Sequence, residues 1–286
     1  MKQYIKVVKR FLTLATPAIA TSILATLPSQ AATLAYSESK FNINNFSSNP
    51  SDVGTLIDTV TKAISTRGRG QVTADAKAEA KFNIDANNPA SNSSFSQAEG
   101  HGDVYTGSAE SLAAIIGYNF IVDKEFSFDF SGLFNLETSI DDALTERANA
   151  SGEFLYELYD SDSGSLLDSF KISGNLSTIG NNDAFVFEPS SNITLDSSSS
   201  INKSFGGTQE YALTSFKGKY SRTFDKSTRL LLIESKSNQV SVYTVPEPST
   251  ILGSLFSCTM FGAVSIRKRK RASSAALLVN KDLRSV

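Results

Sequence analysis

The chain has 286 residues but only one cysteine, one histidine and no tryptophan. A lone Cys258 excludes an intramolecular disulfide framework and any cysteine-based zinc site. A lone His101 excludes a histidine-rich metal cluster. The sequence also has no Walker loop, no GxGxxG and no GxSxG, the short patterns that seat phosphates, dinucleotides or a serine nucleophile. Without tryptophan, stacking on a sugar would fall to Tyr105, Tyr118, Tyr156, Tyr159 or Tyr211. The strand alternation described below suits these tyrosines at least as well as core residues.

Charge of one sign is missing from particular stretches. Residues 1–31 carry four basic residues and no acid, and residues 246–286 carry seven basic residues and two acids. Taking these from totals of 27 basic and 29 acidic residues leaves 16 and 27 for residues 32–245, a net of −11. A segment this acidic does not bind nucleic acid by neutralising phosphates. The basic charge sits at the two ends beside apolar runs, the pattern that sets membrane topology.

At the amino end, Lys2, Lys6, Lys9 and Arg10 precede an uncharged run from Phe11 to Leu27. Ser29 and Ala31 then supply small side chains three residues and one residue before a cut between Ala31 and Ala32. A cationic start, an apolar middle and a small-residue cut site predict a secretory signal peptide over 1–31, removed by signal peptidase. A permanent amino-terminal anchor is the alternative, and Pro17 and Pro28 argue against it.

At the carboxyl end, Val245 is followed by Pro246, Glu247 and Pro248, then by an uncharged run from Ile251 to Ile266. Its 16 residues would reach roughly 24 Å as a helix, and about 27 Å with Ser249 and Thr250, enough for a short membrane span over 249–266. Five cations follow, Arg267, Lys268, Arg269, Lys270 and Arg271. Such a cluster stays cytoplasmic, which places residues 32–245 across the membrane and 272–286 in a cytoplasmic tail. Cys258 falls in mid-span, where it reads as a small hydrophobe.

This order of elements resembles the PEP-CTERM sorting signal of exopolysaccharide-producing bacteria. Pro246, Glu247 and Pro248 match the motif that names the family, and the resemblance covers about residues 245–271. It implies recognition by an exosortase, a membrane-embedded transpeptidase-like enzyme, acting in trans. The body also looks like cyanobacterial members of the family, a likeness that implies no activity. The tail from Ala272 to Val286 departs from the pattern, since these signals usually end soon after the basic cluster. Two prolines within three residues fix φ and remove two amide donors, so the segment should stay extended and accessible. An ordinary carboxyl-terminal anchor behind a proline hinge is the alternative.

Period-two alternation dominates residues 32–245. Val72, Ala74, Ala76, Ala78, Ala80, Phe82 and Ile84 alternate with Thr73, Asp75, Lys77, Glu79, Lys81, Asn83 and Asp85. Alanine, lysine and glutamate favour a helix by propensity, yet on a helix this alternation leaves no apolar stripe, whereas on a strand it gives one apolar face. Further strands are expected over Leu34–Ile43, Thr55–Ser65, Leu112–Val122, Glu125–Leu136, Glu153–Tyr159, Leu166–Ile172, Tyr211–Phe224 and Leu230–Val245. Ile140–Asn149 reads as one short helix. The expected fold is mainly β, a single antiparallel β-sandwich or jelly-roll-like domain. Glu38–Ile43 and Glu79–Ile84 match at five of six positions, as similar strands of one sheet would.

Chemistry in the body is sparse. His101, between two glycines and near Asp103, reads as a turn residue rather than an oriented base. Asp160 and Asp162 in DSDSG are the candidate calcium ligands, but the glycine comes one position early for an EF-hand loop and a hairpin turn explains the same residues. Asp141, Asp142, Glu153 and Glu157 are the acids from which a hydrolase pair could be drawn. No catalytic residue, cofactor or resident metal is assigned. The expectation is an exported envelope or matrix protein, an inner-membrane precursor facing the periplasm that is then sorted to the surface. A polysaccharide-binding module is the alternative, and an extracytoplasmic hydrolase comes third.

Overall fold

A computed structural model describes residues 32–245, apart from 67, 85–89 and 181. Among these there are thirteen strands and no helix. In chain order they are β1 (Ala32–Asn44), β2 (Asp52–Ser65), β3 (Gly70–Phe82), β4 (Ala90–Gly102), β5 (Tyr105–Val122), β6 (Glu125–Ser139) and β7 (Glu146–Asp160). They continue with β8 (Leu166–Ser177), β9 (Ala184–Glu188), β10 (Ile193–Leu195), β11 (Ser200–Ser204), β12 (Gln209–Thr223) and β13 (Thr228–Thr244).

The strands form two antiparallel sheets. The first runs β10-β12-β6-β1-β4-β3, with β11 also on β12, and the second runs β2-β5-β13-β7-β8-β9. One buried cluster draws on both sheets, which makes the fold sandwich-like. Its centre is a stack of rings. Phe216 on β12 lies within about 6 Å of the Phe41, Phe130, Phe154, Phe170 and Phe187 rings. Edge-on and tilted contacts of this kind add to the burial of ring surface. Gly132 on β6 makes room for them: a Cβ there would meet Phe216 Cζ at 2.2 Å.

Alternation produces this arrangement. Along β3 every second residue from Val72 to Ala80 turns toward the partner sheet and the intervening charged residues are exposed, while Ile84 lies past the strand end. Phe126, Phe128 and Phe130 of β6 are buried together. Leu230–Ile233, apolar on both faces, belongs to β13 at the middle of the second sheet, between β5 and β7. The two similar hexapeptides lie in one sheet, on β1 and β3, either side of β4.

Residues 140–149 do not form the expected helix. Asp142 takes the Leu144 amide at 2.8 Å and the Thr145 hydroxyl at 2.7 Å, and Glu146 Oε2 takes the Asp141 and Asp142 amides at 2.9 and 3.1 Å. These side chains satisfy the amides that a helix would need to organise, so a turn leads straight into β7.

β1 starts and β13 ends at the same pole of the sandwich. The Tyr105 hydroxyl is hydrogen-bonded with Thr33 Oγ1 and donates to Glu146 Oε1 at 3.2 Å, while the Tyr105 amide donates to Thr244 Oγ1 at 3.3 Å. Burial, followed by the Glu146 carboxylate, pushes the Tyr105 phenol well above its ordinary range. Ala31, Pro246, Glu247, Pro248, the 249–266 span, Arg267, Lys268, Arg269, Lys270 and Arg271 lie outside the described residues. Ala32 is the first residue of β1. No helix among the described residues is long and apolar enough to cross a membrane.

Candidate functional site

Two places gather polar side chains in a defined geometry. The first is a trough of about 650 Å³ on the outer face of the second sheet. Its floor comes from every second residue of β5 and β13, where Leu112, Ala114, Ile116 and Ile233 give an apolar strip. Ser235, Ser237 and Gln239 continue that face as a polar strip. Four acids line it: Asp58 from β2, Glu110 from β5, and Glu153 and Glu157 from β7. Lys171 pairs with Glu153 at 2.8 Å and Gln239 donates to Glu110 at 2.9 Å. Burial is the main cause that raises the Glu157 pKa, with Glu153 adding to it. Tyr118 and Tyr159 pack on Ile116, Leu231 and Ile233 at one end of this face.

The second place is a polar seam buried between the sheets, formed by Ser37 and Ser39 of β1, Asn92, Ser94 and Ser96 of β4, Ser111 of β5 and Glu234, Lys236 and Asn238 of β13. Asn238 is its hub. Its Oδ1 faces the Ser37 and Ser39 hydroxyls at 3.0 Å each, and its Nδ2 donates to Ser94 O at 2.7 Å and Ser94 Oγ at 3.0 Å. Ser111 Oγ lies 2.7 Å from Ser94 Oγ and 2.9 Å from Ser96 Oγ. At one end of the seam Lys236 donates to Glu234 Oε1, and Asn92 Nδ2 donates to Glu234 Oε2 at 2.5 Å.

The residues singled out in the sequence are dispersed. His101 is not in a turn but near the end of β4, exposed, with Nε2 2.9 Å from Glu99 Oε1. Strand pairing to β1 and β3 on both sides extends β4 through the glycines that suggested a loop. Asp160 and Asp162 sit at the β7–β8 turn. Asp160 Oδ1 accepts the Asp162 and Ser163 amides at 2.8 and 3.0 Å, which lowers its pKa, and Asp162 pairs with Arg229 at 3.0 Å. Gly164 closes that turn at φ 71°, a conformation glycine adopts readily. Among the described residues no three His, Cys, Asp or Glu side chains are grouped to hold a metal ion. Asp142 caps its own turn, away from Glu153 and Glu157 in the trough. Tyr105 and Tyr156 are core residues, Tyr118 and Tyr159 are half-buried, and Tyr211 is exposed on β12.

Sequence reasoning passed over Glu234, Lys236 and Asn238, although a signal was present. Leu230, Leu232, Val240 and Val242 share their parity on β13, and that parity turns inward.

No family model matches the chain, and no curated protein matches it. A crystal structure of the lysenin pore aligns at 10% identity and a TM-score of 0.11, covering 66% of this chain and 98% of that one. A likeness this low carries no argument about fold or function.

Proposed function

We propose that the chain is an exported envelope or matrix protein, sorted through its carboxyl-terminal segment, with residues 32–245 as an acidic β-sandwich presented outside the inner membrane. The observation that carries the reading is the ordered run of Pro246, Glu247 and Pro248, the uncharged 249–266 and Arg267 to Arg271. Signal peptidase at Ala31–Ala32 and an exosortase near Pro246–Pro248 would be the processing partners. A common pole for the start of β1 and the end of β13 supports it, because both processed ends would then face the membrane together. The role is structural or adhesive.

Intact mass and fractionation of a tagged protein in its native host test this. A species ending near Pro246–Pro248 and recovered outside the inner membrane is the expected result. A mature chain ending at Val286 in the inner membrane would overturn sorting and leave a permanent anchor.

A second reading is favoured by the trough: the second sheet binds a polysaccharide on its outer face. Apolar strips beside carboxylates and amides suit sugar rings with their hydroxyls. Four acids and one lysine favour a neutral glycan over an anionic one. Neutral and uronate-rich glycans titrated against wild type and Ile233→Arg would separate these outcomes. Binding of uronates alone, or binding untouched by I233R, would sink the trough reading.

A further inference from the structure

Independently of export or glycan binding, the buried end of the polar seam places an amine, a carboxylate and a primary amide together. Lys236 and Glu234 are fully buried on β13, and Asn92 is buried on the opposing β4. The two oxygens of Glu234 are shared between them, one accepting from Lys236 Nζ and the other from Asn92 Nδ2 at 2.5 Å. Rings enclose the amine: Nζ lies 5.5 Å from the Phe41 centroid and 5.3 Å from that of Phe154. Phe154 is the cross-strand partner of Lys236, and Phe41 is the cross-strand partner of Asn92, so both residues border one apolar chamber. Asn92 Oδ1 is buried without a hydrogen-bond partner.

We propose that Lys236 and Asn92 join in an intramolecular isopeptide bond, with Glu234 carrying the proton. Glu234 takes a proton from the Lys236 ammonium, and the freed Nζ lone pair attacks Asn92 Cγ. The Nζ–Cγ bond forms, Glu234 returns that proton to Nδ2 and takes the surplus proton from Nζ, and the Cγ–Nδ2 bond breaks, leaving Glu234 as the neutral acid. Ammonia leaves and no oxidant or reductant is consumed. Burial supports both protonation states that this needs. It pushes the Lys236 amine down to about 8 and raises the Glu234 carboxyl, which shifts the pair toward neutral amine and neutral acid. The product replaces a primary amide and a buried ammonium with one neutral amide, and ties the two sheets together.

Peptide mapping of the folded full chain by tandem mass spectrometry tests this. Wild type should yield one branched peptide containing Asn92 and Lys236, about 17 Da lighter than its two parts because ammonia has left the amide attacked by the lysine. Glu234→Gln should yield the two peptides separately and at full mass. Recovery of unlinked Asn92 and Lys236 peptides from folded wild type overturns the proposal, whether or not the variant folds. A linkage formed equally in E234Q overturns the role of Glu234.

Discussion

Around β6, β12 and β8 the two sheets meet through rings, while between β4 and β13 they meet through hydroxyls, amides and one ion pair. Ring packing rewards buried area with little regard to direction. A hydrogen-bonded seam rewards one alignment, because each group left without a partner in the interior costs free energy. This difference accounts for β4. Ser91, Ser93, Ser94 and Ser96 put the same residue type on both of its faces, so an apolar pattern cannot set its register. A slip by one residue would turn Ser93 and Phe95 inward and take from Asn238 and Glu234 their partners on β4. The rings hold the sandwich together, and the seam fixes where β4 lies in it.

Substitutions in each region should separate these roles. The largest loss is expected for Phe216→Ala, about 3–5 kcal/mol for a buried ring, read as a lower urea midpoint at unchanged slope. Asn238→Leu comes next at about 2–4 kcal/mol, since it keeps the volume but takes the acceptor from the Ser39 hydroxyl and removes a partner from Ser94 O, while Ser37 keeps Ser151 O. If the seam sets register, N238L should also speed hydrogen exchange in β4 ahead of β6, which F216A should not. Gly132→Ala tests crowding of the rings. A Cβ at 2.2 Å from Phe216 should cost about 1–3 kcal/mol, and Phe216→Leu should recover part of that loss.

The smallest effect belongs to the trough. Burial raises the Glu157 pKa above its unfolded value, so the folded state favours the neutral acid. Stability from this group is full below the unfolded pKa and is lost as pH rises through the folded one. Glu157→Gln should therefore be more stable than wild type at pH 7, and the gap should close on acidification below the ordinary glutamate range. Thermal melts across roughly pH 3–7, which brackets the ordinary glutamate range, check the sign.

Most of the strand framework was legible. Apolar alternation marked β1, β3, β5, β6, β12 and β13 to within a few residues at most ends, because one face of each is buried. β4 was not legible because its inward positions are Asn92, Ser94 and Ser96, whose burial is compensated by partners far away in sequence. The short β9, β10 and β11 depend on the edges of β8 and β12 rather than on their own pattern. Residues 140–149 misled because capping side chains decide such a segment more strongly than apolar spacing. The trough is legible only in retrospect: it needs alternate residues from six strands, and strand order is not written in any one of them.

The position of β13 has a mechanical consequence. It spans 17 residues and is paired along nearly its whole length with β5 on one side and β7 on the other. A pull applied beyond Thr244 runs along the strand axis, at right angles to the hydrogen bonds on both flanks. Those bonds share the tension in shear, whereas an edge strand pulled sideways would open one bond at a time. A load applied there is thus delivered to the middle of the sheet, where the sandwich is best able to resist being drawn apart.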